Sequence, residues 1–388
     1  MSDFAQAGLI CTLQRLVPGR GPELEVELER LAAVRPIVLI LPCHGAELGQ
    51  PALLHLREEL RDARWLNEII VSMNGLRAEE WLKAREFFGE VPQPVRMLWN
   101  DGPELGARIA EVRANAPHGK GLNLWSALGA ARVRYESAVV LTQDCDVISF
   151  QRENLARLAY AAAVPELGFS FAKMYYSRAT DRLYGRVTRL FLAPLLQAAV
   201  RWAGHHPLLD FLRSFRYPLA GEVAIDLSLA SGLPIHSSWG VEVGMLAEVF
   251  RQVDPRNVAQ VDGGSGYEHR HHPAEEGGSL ARMAREIGET LLEALEQEGC
   301  TSPAFTGAGM ADAYAREARQ AVDRSSALAR INGLPFDADA ENAIVDLFAG
   351  ELPRMRERQF APLPSWNVLM SQHPEWVQAF ARAVDRRV

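Results

Sequence analysis

Cysteine is scarce in this 388-residue chain: four residues, Cys11, Cys43, Cys145 and Cys300, with neither a C-x-x-C pair nor a dense disulfide pattern. Such sparse thiols read as the reduced cysteines of a cytoplasmic protein. A basic segment followed by an apolar stretch and a small-residue cleavage site is also missing, so no targeting segment is read. The longest apolar runs, "RPIVLILP" and "SAVVLTQ", are too short to cross a bilayer. Nor is there an excess of positive charge. The net charge of -8 gives no general reason to bind nucleic acid or an anionic membrane, so an anionic ligand has to be held by a local site. Repeats and low-complexity tracts are absent too. What is present is a hydrophobic content of 48%, enough for a sizeable core, or for one domain plus a large appendage.

Residues 35 to 150 alternate in type. "PIVLILP", "LNEIIVSM", "PVRMLW" and "SAVVLTQ" read as strands, and "PALLHLREELRDA", "AEEWLKAREFFG" and "GLNLWSALGAARVR" as the helices between them. This order predicts an α/β fold with a mostly parallel sheet, whose ligands bind beyond the carboxyl ends of the strands. Residues 1–34 are expected as an N-terminal helical extension. The region 276–388 shows the apolar spacing of amphipathic helices, as in "SLARMAREIGETLLEALEQEG" and "HPEWVQAFARAVDRR", and is expected as a helical C-terminal appendage.

The strand "SAVVLTQ" runs into "DCD", which places Asp144 and Asp146 at the rim where a ligand crevice is expected. Two carboxylates one residue apart point roughly the same way on an extended chain and repel each other unless a cation sits beside them. A hard divalent ion meets that need, and a solvated loop start is the competing reading. Upstream, "PHGKGLNLW" puts Lys120 between two glycines before a helix, where a cation and free N–H groups can meet a phosphate; the spacing is not that of a P-loop. Downstream, "YGRVTRLFLAPLL" offers Arg186, Thr188 and Arg189 beside Gly185, a set suited to a phosphate or carboxylate. "YPLAGEVAID" and "SSWGVEVGM" each place an acid, Glu222 and Glu242, among small or apolar neighbours, where a hydrogen-bonding partner is needed. "GYEHRHH" supplies His269, His271 and His272 after the strand "NVAQVD", and a neutral imidazole is a competent ligand for a divalent ion.

In chain order, "LPCHGAE", "GKGLNLW", "QDCD", "YGRVTRLFLAPLL", "PLAGE", "WGVEVG" and "EHRHH" resemble the glucosyl-3-phosphoglycerate synthases. These are retaining GT-A glycosyltransferases of family 81, with the mannosylglycerate synthases as more distant relatives. The resemblance covers residues 35–275 and implies a Rossmann-like GT-A domain, with a donor part at 35–150 and an acceptor part at 151–275. It further implies a nucleotide-sugar donor, UDP-glucose first, a 3-phosphoglycerate acceptor, a Mg2+ or Mn2+ cofactor and a homodimer. By the same resemblance, Pro42, Glu47, Asn74, Lys120, Asp144, Cys145 and Glu222 belong to the donor site. Gly185, Arg186, Val187, Thr188 and His271 belong to the acceptor site. Asp146 and His269 are the metal ligands, and Glu242 and Asp144 stand at the reacting sugar.

The chain departs from the family pattern in three places. "PCHGAEL" replaces an apolar pair followed by N-E or D-E, "SMNGL" stands where a D-S-G-S-T-D turn is usual, and Cys145 replaces the serine between the aspartates. Mannosyl transfer, a GDP donor and a glycerate acceptor stay open at this stage, as do a sugar nucleotidyltransferase and a non-catalytic nucleotide-sugar binder.

Overall fold

Strict alternation along the central strands sets the architecture. In β2 (Ile37–His44), Ile37, Leu39 and Leu41 face one core while Val38 and Ile40 face the other. β3 (Glu68–Asn74) repeats the pattern with Ile69 and Val71 against Ile70. A strand that is apolar on both faces needs cover on both sides, which is what alternating helices supply. The computed structural model describes residue 6 and residues 8–113, 116–117, 119–269, 278–300, 308–355 and 361–384.

The other strands are β1 (Cys11–Leu13), β4 (Val95–Trp99), β5 (Val139–Thr142), β6 (Phe171–Tyr175), β7 (Val223–Asp226) and β8 (Val258–Asp262). They form a single sheet in the order β1-β8-β6-β7-β5-β2-β3-β4. All neighbours are parallel except β7, which runs antiparallel to both β5 and β6. The sequence places β2 to β5, β8 and the helices Pro51–Leu60, Ala78–Gly89 and Lys120–Arg134 within a few residues, but not the helices Leu105–Val112 and Val241–Gln252. The strands β6 and β7 lie where no strand was read: "FAKMY" carries a lysine, and "VAID" is too short to show a period.

The N-terminal segment needs correction. The helix Gly21–Val34 is present, but Cys11–Leu13 adds a parallel edge strand to β8, so residues 1–34 are not simply a helical extension. Three half-buried residues cannot show an alternation; the pairing comes from β8.

The C-terminal helices are not an appendage with a core of their own. Val38, Ile70 and Val140 of the sheet share one continuous apolar cluster with Leu291, Tyr314, Phe348, Trp366 and Phe380. The helix Lys120–Arg134 lies between them. Its Trp125 donates its indole N–H to the Pro364 carbonyl, while the Trp366 indole N–H returns a bond to the Trp125 carbonyl, both at 2.8 Å. Gly129 makes this contact possible, because a Cβ there would lie 1.9 Å from Trp366 Cζ2.

That clash sets two effects against each other. Gly129→Ala gains about 1 kcal/mol of helix propensity but overpacks a buried indole, which costs ~1–3 kcal/mol. We expect a net loss of stability in urea denaturation; an unchanged midpoint would show that Trp366 can step aside.

Candidate active site

The reversed strand explains why distant segments meet. β5, β6 and β8 finish at one rim, and β7, running the other way, begins there. The turn after β5, the Leu219–Glu222 approach to β7 and the segment after β8 therefore converge. Val147 and His269 form an antiparallel bridge, and Ile148 N–H donates to the Glu268 carbonyl at 2.7 Å, so the D-C-D turn is stitched to the histidine segment.

Asp144, Asp146 and His269 each present one ligand atom, and the three atoms lie within 4.8 Å of one another. Burial and the neighbouring Asp144 push the Asp146 carboxyl up to about 7, the mark of a negative charge short of a cation. Burial and the nearby Arg178 hold His269 down to about 4, so its ring is neutral at pH 7 and open to a metal. Among the described residues its buried Nδ1 has no hydrogen-bond partner. Two carboxylates and one neutral imidazole, all three largely desolvated, fit a hard divalent cation.

Lys120 closes the other side. Its Nζ lies 2.6 Å from Asp144 Oδ1 and 2.9 Å from Glu242 Oε1. Burial works against the ammonium, but Asp144 and Glu242 outweigh it and hold the lysine well above its ordinary value. Burial likewise opposes the Asp144 charge, while Lys120 and His269 keep that carboxyl below its usual range. Both acids reach the lysine through backbone geometry: Asp144 leaves β5, and Glu242 occupies the first turn of the helix Val241–Gln252. Close approaches by glycine complete the arrangement. A Cβ on Gly221 would sit 2.4 Å from Asp144 Oδ2 and 2.5 Å from Lys120 Nζ, and one on Gly121 would sit 1.8 Å from the His236 carbonyl oxygen.

Two residues expected at the donor site, Glu222 and Cys145, have buried side chains. Glu222 is fully buried behind Asp144, and both of its oxygens are taken: Oε1 accepts from Gln143 at 3.2 Å and Tyr267 at 3.0 Å, Oε2 from Tyr176 at 3.0 Å. Its side chain ties Gln143, Tyr176 and Tyr267 together behind Asp144. Cys145 points into the core beside Cys43, as its 3% exposure shows, because alternation along the turn sends it opposite to the aspartates.

The other residues expected at the donor site are placed as follows. Pro42 lies in β2 opposite Ser72; its missing N–H costs no bond there because β5 has already left that side of the strand. Glu47 is buried in a short 3-10 turn and is close enough to raise the Asp146 pKa. Asn74 ends β3, and its Oδ1 accepts from Asn123 of the lysine's own helix at 3.1 Å. The sequence reading did not include Asn123 or Asn100, which join β3 and β4 to that helix.

In the segment expected to hold the acceptor, Gly185 has φ +71°, a conformation natural to glycine, and delivers the chain into a π-helical turn, Val187–Leu192, that continues as the helix Ala193–Ala203. A long helix that starts at G-R-V-T presents free N–H groups to an anion. Val187 and Thr188 are buried. Arg186 donates to Glu341 Oε1 at 2.9 Å, and Arg189 lies 2.6 Å from Glu341 Oε2, so a carboxylate of the C-terminal helix Ala338–Glu351 holds both arginines. Nothing in the local sequence announces Glu341 as their partner. His271 and His272 lie outside the described residues.

No family model matches the chain. The glucosyl-3-phosphoglycerate synthase of Persephonella marina is 36% identical to it over 388 residues, covering 98% of this chain and 95% of the relative. The enzyme of the same name from Methanococcoides burtonii is 29% identical, covering 94% and 91%. Among solved structures, glucosyl-3-phosphoglycerate synthase from Mycobacterium tuberculosis in complex with Mn2+, UDP-glucose and phosphoglyceric acid superposes with a TM-score of 0.57 at 26% identity, covering 78% of this chain and 92% of that one.

Two substitutions test the geometry of the site. Losing an outer-shell partner costs a metal site about 10–100-fold in affinity, so Asp146→Asn, which removes a ligand, should weaken Mn2+ binding by more than ~100-fold in an electron paramagnetic resonance titration. Gly221→Ala should split the Asp144–Lys120 pair and weaken Mn2+ binding without a matching loss of thermal stability. Wild-type Mn2+ affinity in Gly221→Ala would refute the tight approach.

Proposed function

The chain belongs to the glucosyl-3-phosphoglycerate synthase family, and on that premise we propose that it transfers glucose from UDP-glucose to 3-phosphoglycerate, giving glucosyl-3-phosphoglycerate and UDP. The observation that carries the reading is the joining, at one rim, of a carboxylate–histidine trio, an ammonium held by two acids, and a helix start suited to a phosphate. The fold is the mixed, mostly parallel sheet of the GT-A glycosyltransferases.

Transfer breaks the bond between the anomeric carbon and the diphosphate oxygen and forms a bond from that carbon to the acceptor hydroxyl oxygen. Negative charge accumulates on the leaving diphosphate as the anomeric carbon becomes oxocarbenium-like, so catalysis requires positive charge fixed in advance. Asp146 and His269, with Asp144 beside them, would hold a Mg2+ or Mn2+ whose charge offsets that of the diphosphate. Lys120 adds a second cation on the same side, and its two acidic partners fix its position so that little reorganisation is needed. To Glu242, at the start of its helix and tied to Lys120, we assign contact with the reacting sugar. Gly185 to Thr188 hold the acceptor's phosphate at the helix start and present its hydroxyl to the anomeric carbon, the entropic part of catalysis. Retention of anomeric configuration rests on the family resemblance. With no side-chain nucleophile required, the hydroxyl proton passes to the departing phosphate oxygen on the same face.

We extend the reading to a cytoplasmic homodimer that makes the phosphorylated precursor of a glucosylglycerate compatible solute. No described helix is long and apolar enough to cross a membrane. Light scattering after size exclusion tests the dimer.

Purified protein should convert UDP-glucose and 3-phosphoglycerate to UDP and a product of the expected mass. Turnover should vanish with EDTA and in Asp146→Ala, and should fall at least ~100-fold in kcat for Lys120→Met, a loss typical of removing one preorganised charge-stabilising group. Release of pyrophosphate in place of UDP would identify a nucleotidyltransferase and overturn the proposal. Turnover with GDP-mannose or with glycerate, and not with this pair, would correct the substrates while keeping the transferase.

A further inference from the structure

Arg178 is absent from the motifs that single out the site, yet it stands between the two halves of it. It follows β6, and both chain directions are pinned. Ser177 N–H donates to the Gly264 carbonyl at 3.1 Å, Tyr267 N–H donates to the Ser177 carbonyl at 3.0 Å, and Tyr184 N–H donates to the Arg178 carbonyl at 2.8 Å. The loop between is closed by an Ala179–Leu183 bridge and returns to Gly185. A Cβ built on Gly185 would lie 3.8 Å from Arg178 Cδ and 3.2 Å from the Tyr217 hydroxyl, so the arginine stem runs against the phosphate-holding turn. At the other end its charge reaches the metal ligands, since it helps keep His269 neutral and interacts with Asp146. Tyr217, Tyr176 and His269 bridge the two ends, with ring centroids 4.8 Å and 6.1 Å apart in sequence.

The other cations near the rim already have partners. Lys120 has Asp144 and Glu242, Arg186 and Arg189 share Glu341, and Lys173 donates to the Ala220 carbonyl. Arg178 interacts with Tyr217, but among the described residues its buried Nε has no hydrogen-bond partner and no carboxylate forms an ion pair with it. A buried guanidinium donor left unmade is costly, and a bidentate anion is the group that completes it.

The acceptor named above carries two anions. In 3-phosphoglycerate the reacting hydroxyl sits on the carbon that bears the carboxylate, next to the carbon that bears the phosphate ester. With the phosphate at Gly185–Thr188 and the hydroxyl turned towards the metal-held donor, the carboxylate falls in the gap that Arg178 occupies. Resting on the function proposed above, we propose that Arg178 binds the acceptor's carboxylate and so selects a phosphorylated hydroxy acid over a phosphorylated alcohol.

The test compares two ligands that differ at that group. Glycerol 3-phosphate keeps the phosphate and the central hydroxyl but has no carboxylate, and it is used as a competitive inhibitor. In Arg178→Gln, the KM for 3-phosphoglycerate should rise by roughly thirtyfold or more, as for loss of one partner of a buried charge pair, while the Ki of glycerol 3-phosphate and the KM for UDP-glucose each move less than about threefold. Arg178→Lys should recover part of the loss, because it restores the charge without the fork. Equal weakening of both ligands, or a change confined to UDP-glucose or to thermal stability, would overturn the assignment, as would no change at all. If the wild-type protein fails to glucosylate 3-phosphoglycerate, the proposed function falls and this assignment with it. Wild-type turnover with an indifferent Arg178→Gln overturns this assignment alone.

Discussion

The Lys120 ammonium lies 2.6 Å from Asp144 and 2.9 Å from Glu242, and the ionisation of the acids around it follows from those contacts. Two like charges a few ångströms apart in a partly desolvated site repel by about 4 kcal/mol, more than one ordinary hydrogen bond returns. Five carboxylates crowd this rim: Glu47, Asp144, Asp146, Glu222 and Glu242. They coexist because they are differentiated. Asp144 takes the lysine and stays ionised, whereas Glu222, behind it, is driven upward by burial and by Asp144 and relies on two tyrosines and Gln143. Among the described residues no cation forms an ion pair with Asp146, whose carboxyl burial and Asp144 push to about 7, and a divalent ion meets that need. Lys120 therefore leaves one acid to seek a metal by satisfying its neighbour.

That arrangement depends on one topological choice, the reversal of β7. In a wholly parallel sheet, "PLAGE" would lead into its strand at the far edge, away from the D-C-D turn. Because β7 is antiparallel to β5, Gly221 and Glu222 arrive beside Thr142 and Asp144, and Thr142 Oγ1 donates to the Gly221 carbonyl and accepts from Val223 N–H. Gly221 then has to be glycine, since Asp144 and Lys120 occupy the space a side chain would fill. The reversal, the glycine and the ion pair are one constraint seen at three scales.

Where the sequence was informative, the signal was local. β2 to β5 and three of the helices between them carry period and punctuation within ten to fifteen residues, so that half of the sheet could be read directly. The acids and histidine of the trio were legible as residue types at a strand end and in a loop. Their meeting was not, because it needs the antiparallel β7 and the Val147–His269 bridge, both long-range. Glu222 and Cys145 show a second limit. Each was assigned to the donor by its place in a motif, but a motif fixes where the backbone goes and not which side the side chain takes. Partners that act across the chain, such as Glu341 for Arg186 and Tyr267 for Glu222, leave no trace near the residues they serve.

Glu341 also changes what the C-terminal helices are for. A pair of arginines at a helix start would draw in any anion, and a buried glutamate holding both of them keeps their charge in place while it lowers the net pull. The same region reaches the opposite edge of the sheet, where Arg96 of β4 pairs with Glu68 at 3.0 Å and donates to the Val384 carbonyl at the end of the last described helix at 2.9 Å. A buried ion pair of this kind returns little net stability because desolvation offsets its attraction, so its value lies in specifying one docking position. With Trp366 wedged over Gly129 between these two points, the helices are fixed against the sheet at three separated places. A rigid three-point attachment lets a carboxylate more than 150 residues away in sequence, as Glu341 is from Arg186, hold that arginine in one orientation.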